Sequence, residues 1–539
     1  MKKIIGITTI LVLTVISLAY LYFSSLNIKS RNNDRVLSEI PADASLVFQY
    51  PNDKSLYDIF KEYTVFDTII GLYHKQELAW LKKLLISKKE LSDITDGQKV
   101  FLSFHPSKTD TVHFLWSIQL KQSLTINELQ NTLSQLSDIR LNMKEKSGNA
   151  ILEINYSELN RPFFLGIDNG IARGSFSVDL LSQSIDKKTE KISKAFIKEI
   201  NNGLNKNANA LAQLFINYNR VGFLKPFFKR KLSDNMELFE SFTGYSSLEL
   251  NYKTDVMMFN GISRISLAKD RYIPIFLHQK PVKNTIKLIM PYNTASSITY
   301  GISDYPMFKK DLDQVFEARN ELDTLKKQIK TITAETGINP ERDMVKLWAK
   351  ELSTLHLSTS ESLAILKVSD GSKLQFLLDP MSSFYSPTVR RMNYNNLFYF
   401  YFGDPMKKYS KPFFTITDNL LILSNSPSSI QRFLNDYNSG RLIYKTKAYI
   451  QFDQLVADQS NISFVVYLNN AQNLLRNSIK SNYSQIFRSN NYGIKDLYAL
   501  SYQLTSNNEY FFTNFYTGYK NLIPATDPDL FVDGTGLTN

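Results

Sequence analysis

The 539-residue sequence contains no cysteine. This absence excludes disulfide bonds, thiolate metal sites, a cysteine nucleophile and the cysteine to which an N-terminal lipid would be attached. It leaves the redox compartment open, because a chain without thiols is compatible with both reducing and oxidising surroundings.

Histidine is scarce, and the common catalytic motifs are absent. The sequence contains no GxxxxGK[ST], GxGxxG, GxSxG or HExxH pattern. No two histidines are four residues apart, so no pair could hold a metal on one face of a helix. We therefore predict no catalytic, cofactor-binding or metal-ligating residues and no cofactor. The five histidines are His74, His105, His113, His278 and His356.

Positive charge exceeds negative charge, and the excess is scattered along the chain. The formal net charge is +12 and the pI about 9.2, and basic runs are as short as Lys229–Lys231. A basic surface can attract nucleic acid, anionic lipid or an anionic polymer, although solubility alone is a sufficient explanation. Because basic residues do not interleave regularly with aromatic ones, we expect no nucleic-acid partner.

The longest uncharged stretch is residues 4–23, IIGITTILVLTVISLAYLYF. As a helix it would span about 30 Å, the thickness of the hydrocarbon core of a bilayer. We predict that residues 1–23 form an anchor that contacts the lipid bilayer through residues 4–23. The alternative is a signal peptide cleaved at the small-x-small site Ser17–Ala19. In either case the segment predicts export, and we expect the bulk of the chain outside the cytoplasm.

Two similar stretches indicate an internal duplication. PFFLGIDNGIARG at Pro162–Gly174 and PFFTITDNLLILS at Pro412–Ser424 share Pro-Phe-Phe and then Asp-Asn at the same offset. Each predicts a hairpin whose turn contains the Asp-Asn pair, Asp168 with Asn169 and Asp418 with Asn419. A paired acidic site is the functional alternative, and turn chemistry is the simpler interpretation.

The wider pattern predicts an α+β fold class. It consists of an N-terminal transmembrane helix followed by two duplicated modules, each an antiparallel sheet with helices packed on one side. The predicted divisions are the anchor at 1–23, a tether at 24–38, a first module at 39–285, a second module at 286–519 and a loose tail at 520–539.

Several local predictions concern the second module. Residues 305–331 are predicted to form one long helix, whose apolar stripe faces the core or docks a partner helix. Residues 374–378 are predicted to pair with Leu363–Val368 as a hairpin. The run FYFYF at Phe398–Phe402 is predicted to be an aromatic strand, with a binding role as the less favoured alternative.

The chain resembles a bacterial family of N-terminally anchored envelope proteins that contain a domain of unknown function. The resemblance lies in the MKK start, IPADASLVFQY at Ile40–Tyr50, the stretch Gln279–Ser303 and PFFTITDNLLILS. It implies a single-pass protein of the bacterial inner membrane with its bulk in the periplasm. It implies no reaction and no catalytic residue.

Two functional hypotheses follow. The first is a non-enzymatic binding or scaffold protein of the cell envelope, with another envelope protein, a lipid or an anionic polymer as its partner. The second is an extracytoplasmic hydrolase whose site is assembled from scattered Ser, Asp and His residues. A broad apolar patch would favour the first, and a deep pocket with converging polar groups would favour the second.

Overall fold

A computed structural model describes residues 33–53, 80, 89–106, 112–135, 139–146, 148–157, 159, 161–206, 210–220, 229, 242–253, 256–480 and 497–519. The predicted anchor at residues 4–23 and the predicted tail at 520–539 lie outside these ranges. The apolar periodicity of the sequence also predicts helices at 53–63 and 72–86. Apart from Asp53 and Trp80, these helices lie outside the described ranges, as do residues 230–231 of the basic run.

The described residues form two compact units, the first between residues 33 and 220 and the second from residue 229 to residue 519. The strands of the first unit are β1 (Leu46–Pro51), β2 (Lys99–Pro106), β3 (Val112–Gln119), β4 (Ile139–Lys146), β5 (Asn149–Tyr156), β6 (Phe163–Asp168), β7 (Ile171–Ser175) and β8 (Gln213–Asn217). Its helices are α1 (Lys89–Thr95), α2 (Ile126–Ser134), α3 (Val178–Ile185) and α4 (Lys194–Lys206).

The second unit is larger. Its strands are β9 (Gly244–Lys253), β10 (Val256–Ile265), β11 (Val282–Lys283), β12 (Thr294–Gly301), β13 (Trp348–Leu357), β14 (Ser362–Val368), β15 (Ser382–Ser386), β16 (Val389–Met392), β17 (Phe413–Thr417), β18 (Leu420–Ser424), β19 (Gln459–Ser460), β20 (Ile462–Tyr467), β21 (Leu497–Ser506) and β22 (Phe511–Tyr519). Its α-helices are α5 (Tyr305–Ala318), α6 (Leu322–Thr336), α7 (Pro340–Asp343), α8 (Gly371–Leu378), α9 (Leu397–Phe402), α10 (Pro427–Asn438), α11 (Lys447–Asp453) and α12 (Leu468–Ser478). Short 3-10 helices lie at Ile273–His278, Ile286–Ile289, Val345–Leu347, Asp379–Met381, Asp404–Met406 and Ile443–Lys445.

All strand pairs are antiparallel, and one strand order occurs in both units. The first unit pairs its strands in the order β8-β1-β2-β3-β7-β6-β5-β4. The second unit repeats this order as β20-β12-β13-β14-β18-β17-β16-β15. Beyond β20 it continues through β21 and β22 to β10 and β9. The hairpin of β9 and β10, placed in the predicted first module, therefore belongs to the second unit.

The predicted fold class is wrong in two respects. First, none of the helices in the described ranges combines the length and apolar character that crossing a membrane requires. The observed fold is a large antiparallel sheet with helices. In addition, helices cover both faces of each unit's sheet rather than one. The physical reason is that the inner strands have buried residues on both faces: all five residues of β18, Leu420–Ser424, are buried.

Contacts in each unit show the two covered faces. In the first unit α3 packs on Leu115 and Phe164, whereas α1 and α2 close a cavity of about 30 Å³ against Trp116 and Leu165 on the other face. In the second unit α10 and α11 pack on Ile365 and Ile422. On its other face the rings of Tyr272 and Phe276 contact that of Tyr300 and also pack against Phe308 of α5; these four rings form one aromatic cluster.

Repeated hydrogen bonds fix which positions of the two units are equivalent. The Ser175 hydroxyl donates to the Phe114 carbonyl and accepts from the Ser177 amide. The Ser424 hydroxyl repeats both bonds with the Ser362 carbonyl and the Ser426 amide. Ser175 therefore corresponds to Ser424, and the pairings between neighbouring strands extend the correspondence across both sheets.

This correspondence shifts the predicted Asp-Asn match by one residue. The β6–β7 turn is formed by Asn169 and Gly170, with φ of 53° and 73°, and the β17–β18 turn by Asp418 and Asn419, with φ of 45° and 59°. Positive φ at both central residues is the geometry that favours Asn, Asp and Gly in two-residue hairpins. The Asn169 side chain donates to the adjacent Asp168 carboxylate, whereas the Asn419 side chain accepts from the Gly371 amide at the start of α8.

Three local predictions in the second unit are also wrong. The long helix is divided into α5 and α6, because Asn320 adopts a φ of 59° between them. Residues 371–378 form helix α8 rather than a strand, since the Asp370 side chain caps it by accepting from the Lys373 amide. The aromatic run is helix α9, bounded by positive φ at Asn396 and Gly403.

Candidate functional site

The first unit contains a hydrogen-bonded Ser–His–Asp chain. Ser103 and His105 lie two residues apart on β2 and share one face of the sheet, and Asp43 lies just before β1. The Ser103 Oγ is 2.8 Å from Nε2 of His105, and Nδ1 of His105 is 2.7 Å from Oδ1 of Asp43. This order of residues and these distances are those of a hydrolytic triad.

Ser103, which would be the nucleophile of such a triad, is inaccessible from solvent. Ser103 is 0% exposed and His105 is 2% exposed, while Asp43 retains 45% of its side-chain surface. Ser103 faces Leu115 across the strands, so the cavity beside Trp116 lies on the opposite face of the sheet. A serine must reach a substrate carbonyl to attack it, and the geometry instead describes a buried and satisfied polar network.

A second polar cluster lies on the same face, around Arg173 of β7. The side chain is 0% exposed, and its Nη2 lies 3.5 Å from Oε2 of Glu39, which is also 4.0 Å from Nζ of Lys191. None of the three guanidinium nitrogens has a hydrogen-bond acceptor among the described residues. Burial lowers the pKa of Arg173, and Glu39 and Asp168 oppose that shift.

The equivalent positions of the second unit are apolar. Leu115 of β3 is equivalent to Leu363 of β14. Leu115 pairs with Ser103 and Leu363 pairs with Leu355, so Ser103 corresponds to Leu355 and His105 to Leu357. Arg173 pairs with Ser117, and the matching pair is Ile422 with Ile365. The same fold is thus built with an apolar core in one unit and a polar network in the other, which shows that the sheet does not require these polar residues.

The third notable feature is the outer edge of the second unit, at β15. Phe384 is 70% exposed and Tyr385 is 59% exposed. Among the described residues β15 pairs only with β16, so its outer backbone edge is open. We call Phe384, Tyr385 and the strand that carries them the aromatic edge.

The two aromatic side chains lie on opposite faces of the sheet. Phe384 pairs with Arg390, whose guanidinium lies 5.7 Å from its ring and is held by Ser382 and Asp379. The ring of Tyr385 contacts that of Phe413, with 5.0 Å between the ring centres, on the face that α10 covers.

The equivalent edge of the first unit is β4, and it is charged. β4 reads IRLNMKEK, whereas β15 reads SSFYS. The register places Met143 where Phe384 lies and Lys144 where Ser386 lies, so that Tyr385 is an extra residue of β15 without a counterpart on β4. Lys144 forms an ion pair of 2.7 Å with Glu153. Charged residues on an edge strand prevent pairing with other chains, and β15 lacks them.

The residues singled out from the sequence do not assemble into a metal or cofactor site. Within the described ranges no group of three or more His, Asp or Glu residues could hold a metal ion. His278 hydrogen-bonds to Asp311 at 2.7 Å, and His356 lies 3.1 Å from the Lys408 ammonium. His113 is half-buried, and burial lowers its pKa; His74 lies outside the described ranges. The aromatic run Phe398–Phe402 is wholly buried and offers no binding surface.

Sequence reasoning missed both the triad-like chain and the aromatic edge. The Ser-x-His spacing at 103 and 105 was a usable signal, because residues two apart share a face of a strand, but Asp43 is 62 positions from His105. For β15 the only signal was an uncharged Phe-Tyr pair between serines, which is too short to show a period.

Comparisons with known proteins add little to this geometry. No protein-family model matches the chain, so the resemblance noted above stays a prediction, and no curated protein matches it. Among solved structures, the chain aligns with a crystal structure of the β sliding clamp of C. crescentus at 11% identity, over 62% of this chain and 78% of that chain, with a TM-score of 0.06. A TM-score this low carries no argument about fold or function.

Proposed function

We propose that the protein is a non-enzymatic binding protein that captures an extended segment of a protein partner at the aromatic edge. The observation that carries this proposal is the contrast between β15 and β4, which occupy the same place in the two sheets. β4 is charged, whereas β15 exposes Phe384 and Tyr385 beside an open backbone edge.

Strand addition fits this surface chemically. An extended peptide that pairs with an open strand gains backbone hydrogen bonds, and its alternate side chains reach both faces of the sheet. Phe384 and Tyr385 would each supply one aromatic contact to such a peptide, on opposite faces. Exposed aromatic side chains of this kind dominate the binding energy of many interfaces.

A register shift near Tyr385 limits the length of the site. The pairing of β15 with β16 passes from Phe384 with Arg390 to Ser386 with Val389, so one residue of β15 is unpaired. Bulges twist an edge and discourage long unspecific pairing. We therefore expect a short partner segment, of about five to six residues.

Selection of displayed random peptides on the full chain tests this proposal. We expect enriched peptides whose binding is lost in the Phe384→Ser and Tyr385→Ser variants and kept in Met143→Ser, the matched change on β4. Enriched peptides that bind all three variants equally would overturn the assignment of the surface. Failure to enrich any peptide would overturn strand addition itself.

A hydrolase is the second candidate function, and the Ser103–His105–Asp43 chain is the observation that favours it. A fluorophosphonate probe separates the two functions, because it labels a serine that is both activated and accessible. With Ser103 at 0% exposure, we expect no labelling. Labelling that disappears in Ser103→Ala would establish the hydrolase instead.

The proposed location of the protein in the cell is based on the sequence alone. We propose that the binding site works outside the cytoplasm, in the cell envelope, because residues 1–23 have the composition of an export segment. Fractionation of cells that carry a C-terminal epitope tag tests this, and recovery of the tagged chain in the cytoplasm would refute it.

A further inference from the structure

Next to the aromatic edge, on β16, lies an exposed positive charge that no residue of the described chain neutralises. Arg391 of β16 lies opposite Ser383 and stacks near Phe413, with its guanidinium carbon 5.4 Å from the ring centre. Its neighbour Arg390 is paired with Asp379, at 3.4 Å. Within the described ranges no carboxylate pairs with Arg391.

In the first unit, the charged residue equivalent to Arg391 has a partner of opposite charge. Glu153 pairs with Phe164 as Arg391 pairs with Phe413, so Glu153 and Arg391 are equivalent. In the first unit Lys144 forms an ion pair with Glu153 and lies 5.7 Å from the Phe164 ring. In the second unit Ser386 takes the place of the lysine, with Tyr385 as the extra residue before it, and Arg391 takes the place of the acid. Where the first unit has an ion pair without net charge, the second unit thus has an unpaired cation beside two aromatic rings.

The position of Arg391 makes it reachable from an added strand. Arg391, Tyr385 and Phe413 share one face of the sheet, and the residue between Arg391 and the open edge is Ser383, which is small and exposed. A strand added beside β15 would lie about 10 Å from β16, two strand spacings away. The long side chains of an arginine and a glutamate can meet over a serine across that distance, in the bidentate geometry that guanidinium and carboxylate favour.

We infer that the partner segment carries acidic side chains on its Tyr385 face and apolar side chains on its Phe384 face. This inference rests on the proposed function and adds the chemical class of the partner. The predicted ligand is an extended peptide in which acidic and apolar residues alternate, because successive residues of a strand face opposite sides. Net charge also favours such a partner, since the chain carries +12.

The test uses the full chain and four synthetic peptides of about eight residues, labelled for fluorescence anisotropy. One alternates Glu and Val, one alternates Gln and Val, one alternates Lys and Val, and one has the Glu and Val residues in two blocks. We expect the Glu–Val peptide to bind most tightly, with weaker binding at higher salt. The block peptide should bind poorly, because it cannot place all its acids on one face.

Substitutions separate the inference from the proposed function. Arg391→Gln should weaken Glu–Val binding about three- to fivefold, as expected for one exposed ion pair. Arg391→Glu should reverse the preference, so that the Lys–Val peptide binds better than the Glu–Val peptide. This reversal is a gain of binding and could not result from misfolding. Met143→Ser on β4 should leave both affinities unchanged.

Different results would contradict the inference about charge and the proposal of strand capture. If Gln–Val and Lys–Val peptides bind as tightly as Glu–Val, or Arg391→Glu reverses nothing while Phe384→Ser still abolishes binding, the charge inference fails and strand capture stands. If no peptide binds, strand capture fails as well. Phe384-dependent binding to anionic vesicles, or Phe384-dependent dimerisation in sedimentation, would identify a lipid or a second copy as the occupant and overturn both.

Discussion

Replacing Glu39 with glutamine will show whether the buried guanidinium of Arg173 depends on one carboxylate. Glu39 is the acid that pairs with Arg173, at 3.5 Å, and none of the guanidinium nitrogens has a hydrogen-bond acceptor in the described chain. Removing one partner of a buried ion pair costs about 3–5 kcal/mol. Because the Glu39 side chain is 27% exposed, we expect the lower end of that range, about 3 kcal/mol.

The second unit supplies the matched substitution. The isolated bridge of Pro41 with Lys191 repeats as that of Pro291 with Leu442. The residue before each proline also accepts an equivalent hydrogen bond, Ile40 from the Ile192 amide and Met290 from the Ile443 amide. Glu39 therefore corresponds to Ile289, as Arg173 corresponds to Ile422. The double variant Glu39→Ile with Arg173→Ile rebuilds an apolar pair that the fold already accommodates. Such replacements are neutral or stabilise by about 1–4 kcal/mol, so the double variant should be at least as stable as the natural chain.

Amide hydrogen exchange followed by mass spectrometry is the assay, because it reports each unit separately. A loss of about 3 kcal/mol corresponds to exchange roughly 150-fold faster in β3 and β7, while β14 and β18 serve as the internal control. Unchanged exchange in Glu39→Gln would refute the dependence on Glu39. A double variant as unstable as Glu39→Gln would refute the view that the polar network is dispensable for folding.

Three further predictions concern single residues. Gly174→Ala should destabilise the first unit by about 1–3 kcal/mol in thermal unfolding, because a Cβ there would lie 2.3 Å from Cζ of Phe163; an unchanged melting temperature would contradict this. Thr125→Ala should cost about 1 kcal/mol of α2 stability by amide exchange. Hydrogen bonds from Thr125 lower the pKa of Glu128 below 4.5, so their contribution is complete above pH 4.5 and is lost as the pH falls through the lower folded-state pKa; a pH-independent effect would count against it. Phe384→Ser should change stability by less than about 0.5 kcal/mol, and a large loss in denaturant unfolding would show that the ring packs in the fold.

Features with strong local signals could be predicted from the sequence. A threonine followed three residues later by a glutamate predicts a capping box at Thr125 and Glu128, and the structure contains it with both reciprocal hydrogen bonds. The turns after Phe163 and Phe413 also form, because few residues other than Asn, Asp and Gly tolerate positive φ at both turn positions. These features depend on residues within a few positions of one another.

Features set by distant contacts could not be predicted in this way. Helix α9 consists of six buried aromatic and apolar residues, and such a run has no period that separates a helix from a strand. The one-residue shift between Asn169 and Asp418 became visible only through the hydrogen bonds of Ser175 and Ser424. The ion pair of Arg173 with Glu39 joins β7 to a segment that precedes β1, and no local pattern relates the two.

The most direct test of strand capture is amide exchange at residues 382–386 of the full chain, with and without a saturating Glu–Val peptide. Capture at the aromatic edge predicts that the peptide slows exchange in β15 and leaves exchange in β4, its counterpart in the first unit, unchanged. Binding of the peptide with no slowing in β15, or with equal slowing in β4, would contradict the account.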